Sequence, residues 1–198
     1  PEPPPIAEEI IFTHLGRLYS SQSASFFAEA LEKYWSYQPG DPTIRIRFVG
    51  NLDVDIPSRS GLTIEVIEQV SHREALDYLS VTNIALLIID PKRGKQHIPG
   101  KLFEYFAAQR RILGVCPING ATFNLIMKSQ VGICIDPNDP QKIVENIKSL
   151  ANQNSDFFDQ VQVDREFLQN FSRKHQTQKL SQIFQEQLNR HHNRKTTL

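Results

Sequence analysis

Ile84-Ala85-Leu86-Leu87-Ile88-Ile89-Asp90 is an unbroken apolar run ending on an acid. A polar loop later it is followed by Ile98-Pro99-Gly100-Lys101-Leu102-Phe103-Glu104-Tyr105-Phe106-Ala107-Ala108. The first stretch has the length and composition of a strand buried on both faces, and the second enters a helix through Pro-Gly-Lys. That helix start also has the build of an anion site. First-turn N–H groups, the positive end of the helix dipole and the Lys101 ammonium can converge on a phosphate, while Glu104 offers two acceptor oxygens to vicinal hydroxyls. A nucleoside diphosphate with its ribose would satisfy both. The same residues also have an ordinary reading, with Pro99 at N1 and Lys101 and Glu104 as a solvated pair at (i, i+3).

Outward from this stretch the chain alternates. Glu9-Ile10-Ile11-Phe12-Thr13 is a short strand that turns at Gly16, and Phe26, Phe27, Ala30, Leu31 and Tyr34 then fall at helical spacing between Ala24 and Trp35. Thr43 to Val49 alternates with period two into Gly50, and Ile64 to Ile67 reads as a further strand. Ser71-His72-Arg73-Glu74 has the capping-box pattern and opens a helix towards Leu79. Strands at Ile112 to Cys116 and Val131 to Ile135 follow, with a short helix near Phe123 to Lys128 and another from Asp139-Pro140 towards Leu150. Apolar strands alternating with helices predict an α/β fold, a doubly wound, Rossmann-like parallel sheet. Beyond Leu150 the pattern stops. From Asp164 one or two helices rich in Gln, Lys and Arg run to Asn189 as a C-terminal helical extension, and His191-His192-Asn193-Arg194-Lys195 reads as a fraying basic end. The stiff Pro1-Glu2-Pro3-Pro4-Pro5 opening reads as a linker from a domain upstream.

Lys+Arg and Asp+Glu both count 22 in 198 residues, so no global field draws the chain to nucleic acid, anionic lipid or acidic substrates. Any charged ligand must be caught locally. Cys116 and Cys134 lie in apolar runs, as small buried thiols do, and no Cys or His pair has zinc-ligand spacing, so no metal is expected. No apolar run reaches the ~18–20 residues of a membrane span, and the sequence reads as soluble and from a reducing compartment.

Ligands of open parallel sheets sit beyond the carboxyl ends of the strands. The loops to inspect are therefore Leu15 to Gln22, Gly50 to Ser60, Val70 to His72, Asp90 to Lys101 and Pro117 to Thr122. Gly16 lets a ligand approach the backbone closely, and Arg17 beside it can contact phosphate in bidentate fashion; an ordinary turn glycine with a solvated arginine is the other reading. Neither G-x-G-x-x-G nor G-x-x-x-x-G-K-[ST] occurs, which sets aside dinucleotide oxidoreductases and P-loop ATPases. His14, His72 and His97 have no Ser or Cys partner at a diagnostic spacing, and His72 is better explained as the N1 residue of the capped helix.

The order His14-Leu15-Gly16-Arg17-Leu18-Tyr19, Arg47-Phe48-Val49-Gly50, Val70 to Leu76, Asn83 to Leu87, Ile98 to Ala107 and Arg111-Ile112-Leu113 resembles the carboxy-terminal domain of the family 4 retaining glycosyltransferases of the GT-B fold. The resemblance spans about Ile10 to Leu150. It implies a division into a linker from an N-terminal domain (1–8), a nucleotide-sugar-binding Rossmann-like domain (9–150), and C-terminal helices with a basic tail (151–198). By it, Glu104 holds the ribose hydroxyls, Pro99, Gly100, Lys101 and Leu102 form the helix start that faces the phosphates, Gly16 and Arg17 form the first phosphate loop, and Val70 borders the base. Arg17 and Lys101 become the catalytic pair, stabilising the charge that gathers on the departing diphosphate without metal or other cofactor. The implied activity is transfer of a sugar from a UDP- or GDP-sugar to a glycan or lipid-linked acceptor in polysaccharide biosynthesis. The acceptor-binding N-terminal domain of the same polypeptide is the implied partner, nucleic acid is not, and the isolated fragment is expected to be inactive. The implied location is cytoplasmic, with peripheral association of the full-length enzyme at the inner face of the membrane.

Two positions depart from the family pattern. Gln96 stands where a second glutamate contacts the donor sugar, and no basic residue follows Arg17 between Ser20 and Ser25. They keep a non-catalytic scaffold derived from a transferase as the alternative. A receiver-type signalling domain, with Asp53, Asp55 and Asp90 as its acids, lacks the acidic pair after the first strand.

Overall fold

A computed structural model describes residues 9–18, 23–90, 92, 94–152 and 163–195, without the side chains of 23–24 and 190–195. The expected linker, residues 1–8, lies outside the described residues. The described residues divide between Val163 and Asp164 into two compact units.

The first unit is the predicted alternation. Strands β1 (Glu9–Leu15), β2 (Thr43–Val49), β3 (Leu62–Ile67), β4 (Ile84–Ile88), β5 (Arg111–Val115) and β6 (Gly132–Ile135) form one sheet in the order β3-β2-β1-β4-β5-β6. Every pairing is parallel. Helices α1 (Ser23–Tyr34), α2 (His72–Ser80), α3 (Lys101–Ala107), α4 (Ala121–Ser129) and α5 (Pro140–Ala151) connect or follow the strands. β4 is buried at every position, as a central strand covered on both faces must be. Ile10, Phe12, Ile44, Ile46, Phe48, Ile84, Leu86 and Ile88 alternate onto one face of the sheet, where they share a core with Phe27, Ala30 and Leu31 of α1 and Ile143, Val144, Ile147 and Leu150 of α5.

The caps form as the sequence predicts. The Ser71 hydroxyl accepts from the Glu74 amide while the Glu74 carboxylate accepts from the Ser71 amide, and the Asp139 carboxylate accepts from Lys142 with Pro140 opening α5. The start of α3 differs from the ordinary reading of its sequence, which puts Pro99 at N1. Gly100 already has helical angles (φ −55°, ψ −35°), and the amides of Leu102 and Phe103 donate to the Pro99 and Gly100 carbonyls. Pro99 therefore precedes the cap rather than sitting at N1, because a tight i→i+3 turn takes up the first amides.

The second unit holds α6 (Arg165–Gln169), capped by Asp164, and α7 (Arg173–Lys195). The helical backbone continues through Lys195, past the point where the basic end was expected to fray. Among the described residues no helix is long and apolar enough to cross a membrane.

Candidate functional site

Strand order reverses between β1 and β4, since β2 and β3 lie on one side of that pair and β5 and β6 on the other. A crevice beyond the strand ends at such a switch point is where open parallel sheets take ligands. Here the ladder is short, pairing only Phe12 with Ile84 and Thr13 with Ala85. In that register the next bond would run from the Leu15 amide to the Leu86 carbonyl. The Tyr105 hydroxyl of α3 stands between them instead, accepting from the Leu15 amide at 3.0 Å and donating to the Leu86 oxygen at 3.3 Å. The strands part, and a buried phenol satisfies the backbone groups that the parting exposes. Burial raises the pKa of that phenol, which keeps it a neutral donor.

One residue before Leu15, the His14 ring lies wholly buried with Nδ1 3.1 Å from the Leu86 oxygen. A carbonyl only accepts, so Nδ1 carries the proton and Nε2 keeps its lone pair. Lys101 Nζ lies 2.9 Å from that Nε2. Burial, and then the Lys101 charge, hold the imidazole well below its usual pKa, against a smaller opposing effect of the Leu86 bond. The pair is a neutral acceptor facing an ammonium donor. Gly16 completes the corner at φ +82°, where a Cβ would come within 3.3 Å of Lys101 Nζ. Gly50, at φ +127°, brings the second loop so close that its Cβ would lie 2.7 Å from the Gly16 carbonyl carbon. Both positions favour glycine for conformation, and Gly50 also for space, since the atoms its Cβ would meet are backbone.

Of the residues expected at the helix start, Lys101 reaches this corner. Leu102 is turned into the core with its amide donating to the Pro99 carbonyl. At seven residues α3 is too short for a full macrodipole, and the positive charge at its start is the Lys101 ammonium. Glu104, one turn on, has Oε1 3.7 Å from His72 Nδ1 at the start of α2. Val70, just before that helix, lines an open groove of ≈ 350 Å³ with Glu74, Asp77, Tyr78 and Val81.

Arg17 sits differently. Its Nη2 donates to both carboxylate oxygens of Asp53 at 3.0 and 3.1 Å, and its side chain is 49% exposed. The guanidinium expected on phosphate is turned to the β2 side, where Leu52, Asp53, Val54, Asp55, Ile56, Ile64 and Val66 line an open groove of ≈ 660 Å³. Gln96 is exposed.

The six-stranded parallel sheet and its helices can be set beside solved structures. The sucrose-phosphate synthase of Thermosynechococcus elongatus matches 91% of this chain and 46% of its own length at 13% identity, with a TM-score of 0.55. An E. coli structure described as trehalose-6-phosphate bound with UDP-2-fluoro glucose matches 82% of this chain and 40% of its own length at 15% identity, with a TM-score of 0.53. The chain has the fold of a GT-B glycosyltransferase domain. It spans less than half the length of these two structures. No family model matches the sequence, and no curated protein does.

Within this GT-B domain fold, His14 and Tyr105 are the site-forming residues that sequence reasoning missed. A histidine one residue from the end of a buried strand, and a tyrosine at i+4 from Lys101 on a helix whose other buried residues are Leu102 and Phe106, were the available signals.

Proposed function

We propose that this chain is the nucleotide-sugar-binding domain of a glycosyltransferase, and that the full-length enzyme transfers a hexosyl group from a UDP- or GDP-sugar. The reading rests on one observation above the others. The Lys101 ammonium lies against a positive-φ glycine at the sheet's switch point, with the Glu104 carboxylate one helical turn away. That pairing suits a diphosphate and its ribose. The UDP-2-fluoro glucose of the E. coli structure makes the donor class concrete for a chain of this fold. In this reading Gly16, Pro99 and Gly100 border the phosphates, Glu104 accepts from the ribose hydroxyls, and Val70 borders the base.

As the sugar–phosphate bond breaks, negative charge accumulates on the departing diphosphate, and a cation fixed beforehand on its oxygens lowers the barrier more than contacts to the neutral sugar do. Lys101 is that cation, and Arg17 joins it by exchanging Asp53 for phosphate. The acceptor, a glycan or a lipid-linked molecule, would bind to a second domain across the cleft. Family 4 membership, retention of configuration, a role in polysaccharide assembly and work at the inner membrane face extend the same proposal, as does inactivity of this chain alone.

Calorimetry with UDP, GDP, uridine and guanosine tests it. A diphosphate bound more tightly than its own nucleoside is the expected result. Equal affinities, or none, would return the domain to the scaffold reading, which Gln96 and the Arg17–Asp53 pair favour.

A further inference from the structure

His14 is buried, polar and outside the set of residues that the proposed function assigns to the donor. Its ring faces the Lys101 ammonium from α3, the Leu86 carbonyl from β4 and the Phe48 ring from β2, whose centroid is 6.1 Å away. A neutral imidazole with its proton on Nδ1 and a charged lysine satisfies both polar neighbours, and burial of the ring favours that pattern. A second tether holds the same helix face. Lys101 and Tyr105 are four residues apart and so lie one above the other on α3, and they bond to His14 and Leu15, adjacent residues of β1. Two consecutive residues at the end of β1 thus clamp two consecutive turns of α3. A lysine side chain left to itself samples many rotamers, and an acceptor at 2.9 Å selects one of them.

We infer that His14 is a positioning residue for the diphosphate, holding the Lys101 ammonium at Gly16 through its Nε2 lone pair so that the cation is in place before the ligand arrives. The inference rests on the nucleotide reading for its ligand, and on the His14–Lys101 pair alone for its geometry. His14 acts through Lys101 and touches no reacting atom. Its value is preorganisation, since rotamer freedom removed in the free protein is not lost again on binding.

The test is a double-mutant cycle on UDP and uridine affinities, joined to the imidazole nitrogen spectra of the full chain. His14→Phe keeps a ring against Phe48 but removes the acceptor, and we expect it to lower UDP affinity about tenfold while leaving uridine unchanged. In a Lys101→Met background the same change should do nothing further, because the two residues form one unit. His14→Gln, which restores an acceptor near the Nε2 position, should recover part of the loss. A loss of UDP affinity that is as large without Lys101 as with it, or that extends to uridine, would overturn the inference and make His14 a packing residue. The spectra are read without ligand. They should show the proton on Nδ1, and a titration midpoint that rises in Lys101→Met as the neighbouring charge disappears. A proton on Nε2, or a midpoint indifferent to Lys101, refutes the pair. A wild-type chain that binds no UDP defeats the nucleotide reading, and the pair is then decided by the spectra alone.

Discussion

The two flanks of the β1 carboxyl end each carry a cation with a partner, and they are built on opposite principles. Towards β4, Lys101 meets a wholly buried imidazole in a corner closed by Leu86 and Tyr105. Towards β2, Arg17 meets Asp53 on an open surface with half its side chain in water. The half-buried lysine is held by a buried acceptor, and removing the lysine would strand the imidazole nitrogen away from solvent. An exposed ion pair is screened, costs side-chain entropy to hold and is worth little. The first can fix a charge in space. The second can exchange its partner cheaply for a better anion. A diphosphate placed between them would find one preset cation and one recruitable one.

The sharpest way to break this contrast is Lys101→Ala. Loss of the preset cation should weaken UDP or GDP binding by about 1.5–3 kcal/mol, the range for charged hydrogen bonds, with the bare nucleosides little changed by calorimetry. An equal loss for nucleoside and diphosphate would place Lys101 in the fold or the base pocket instead.

Tyr105→Phe tests the closed flank as structure. Without the hydroxyl, the buried Leu15 amide loses its acceptor, and urea denaturation should report about 1–3 kcal/mol less stability. Retention of full stability would mean that water or the Leu86 carbonyl takes over the bond.

Glu104→Ala should weaken nucleoside and nucleoside diphosphate alike, by roughly 1–3 kcal/mol, because its proposed partners are ribose hydroxyls. Unchanged affinity would make Glu104 only a partner of His72.

pH sharpens the contrast without touching the ligand. The folded-state pKa of His14 lies below its unfolded value, so its contribution to stability is complete above the unfolded value of about 6.5 and is lost as pH falls from there through the folded pKa. Across that window stability should decline by about 1.4 kcal/mol per pH unit for one proton. The same limb should be flat in His14→Phe, and denaturation midpoints between pH 7 and pH 5 would reveal it. Glu65 acts lower on the scale. Burial opposes its charge, but the hydrogen bonds and charges of Arg47 and Arg45 hold its carboxyl below the usual range, so its share is lost only at more acid pH.

The smallest effect belongs to the open flank. Arg17→Ala should cost the fold about 1 kcal/mol or less, as exposed pairs do, and its contribution to diphosphate affinity should fade as salt is raised. If diphosphate affinity is indifferent to both the substitution and salt, Arg17 remains with Asp53 and the recruitable cation is absent.

Much of the fold was legible because burial writes itself into periodicity. The Ile84 to Asp90 run, the Ser71–Glu74 box and the Asp139-Pro140 start each encode a local geometry whose cause lies within a few residues. Lys101, Glu104 and Gly16 were legible as candidates for the same reason, their residue types standing at the ends of recognisable elements. What the chain did with them was not. Pro99 gave up N1 to a tighter turn, Leu102 turned inward, and Arg17 found Asp53, 36 residues away.

The sequence by itself determined the alternation, the sheet class and which loops would gather at the strand ends, since these follow from 2.0- and 3.6-residue periods and from caps. Only the tertiary structure decided that β1 and β4 part after two paired residues, that Tyr105, 90 residues from Leu15, bridges the gap, and that His14 takes hold of a lysine 87 residues on. Bonds at that separation leave no periodic trace. They exist because folding buries backbone groups at the switch point that water can no longer satisfy, and the side chains brought there by other elements must do so.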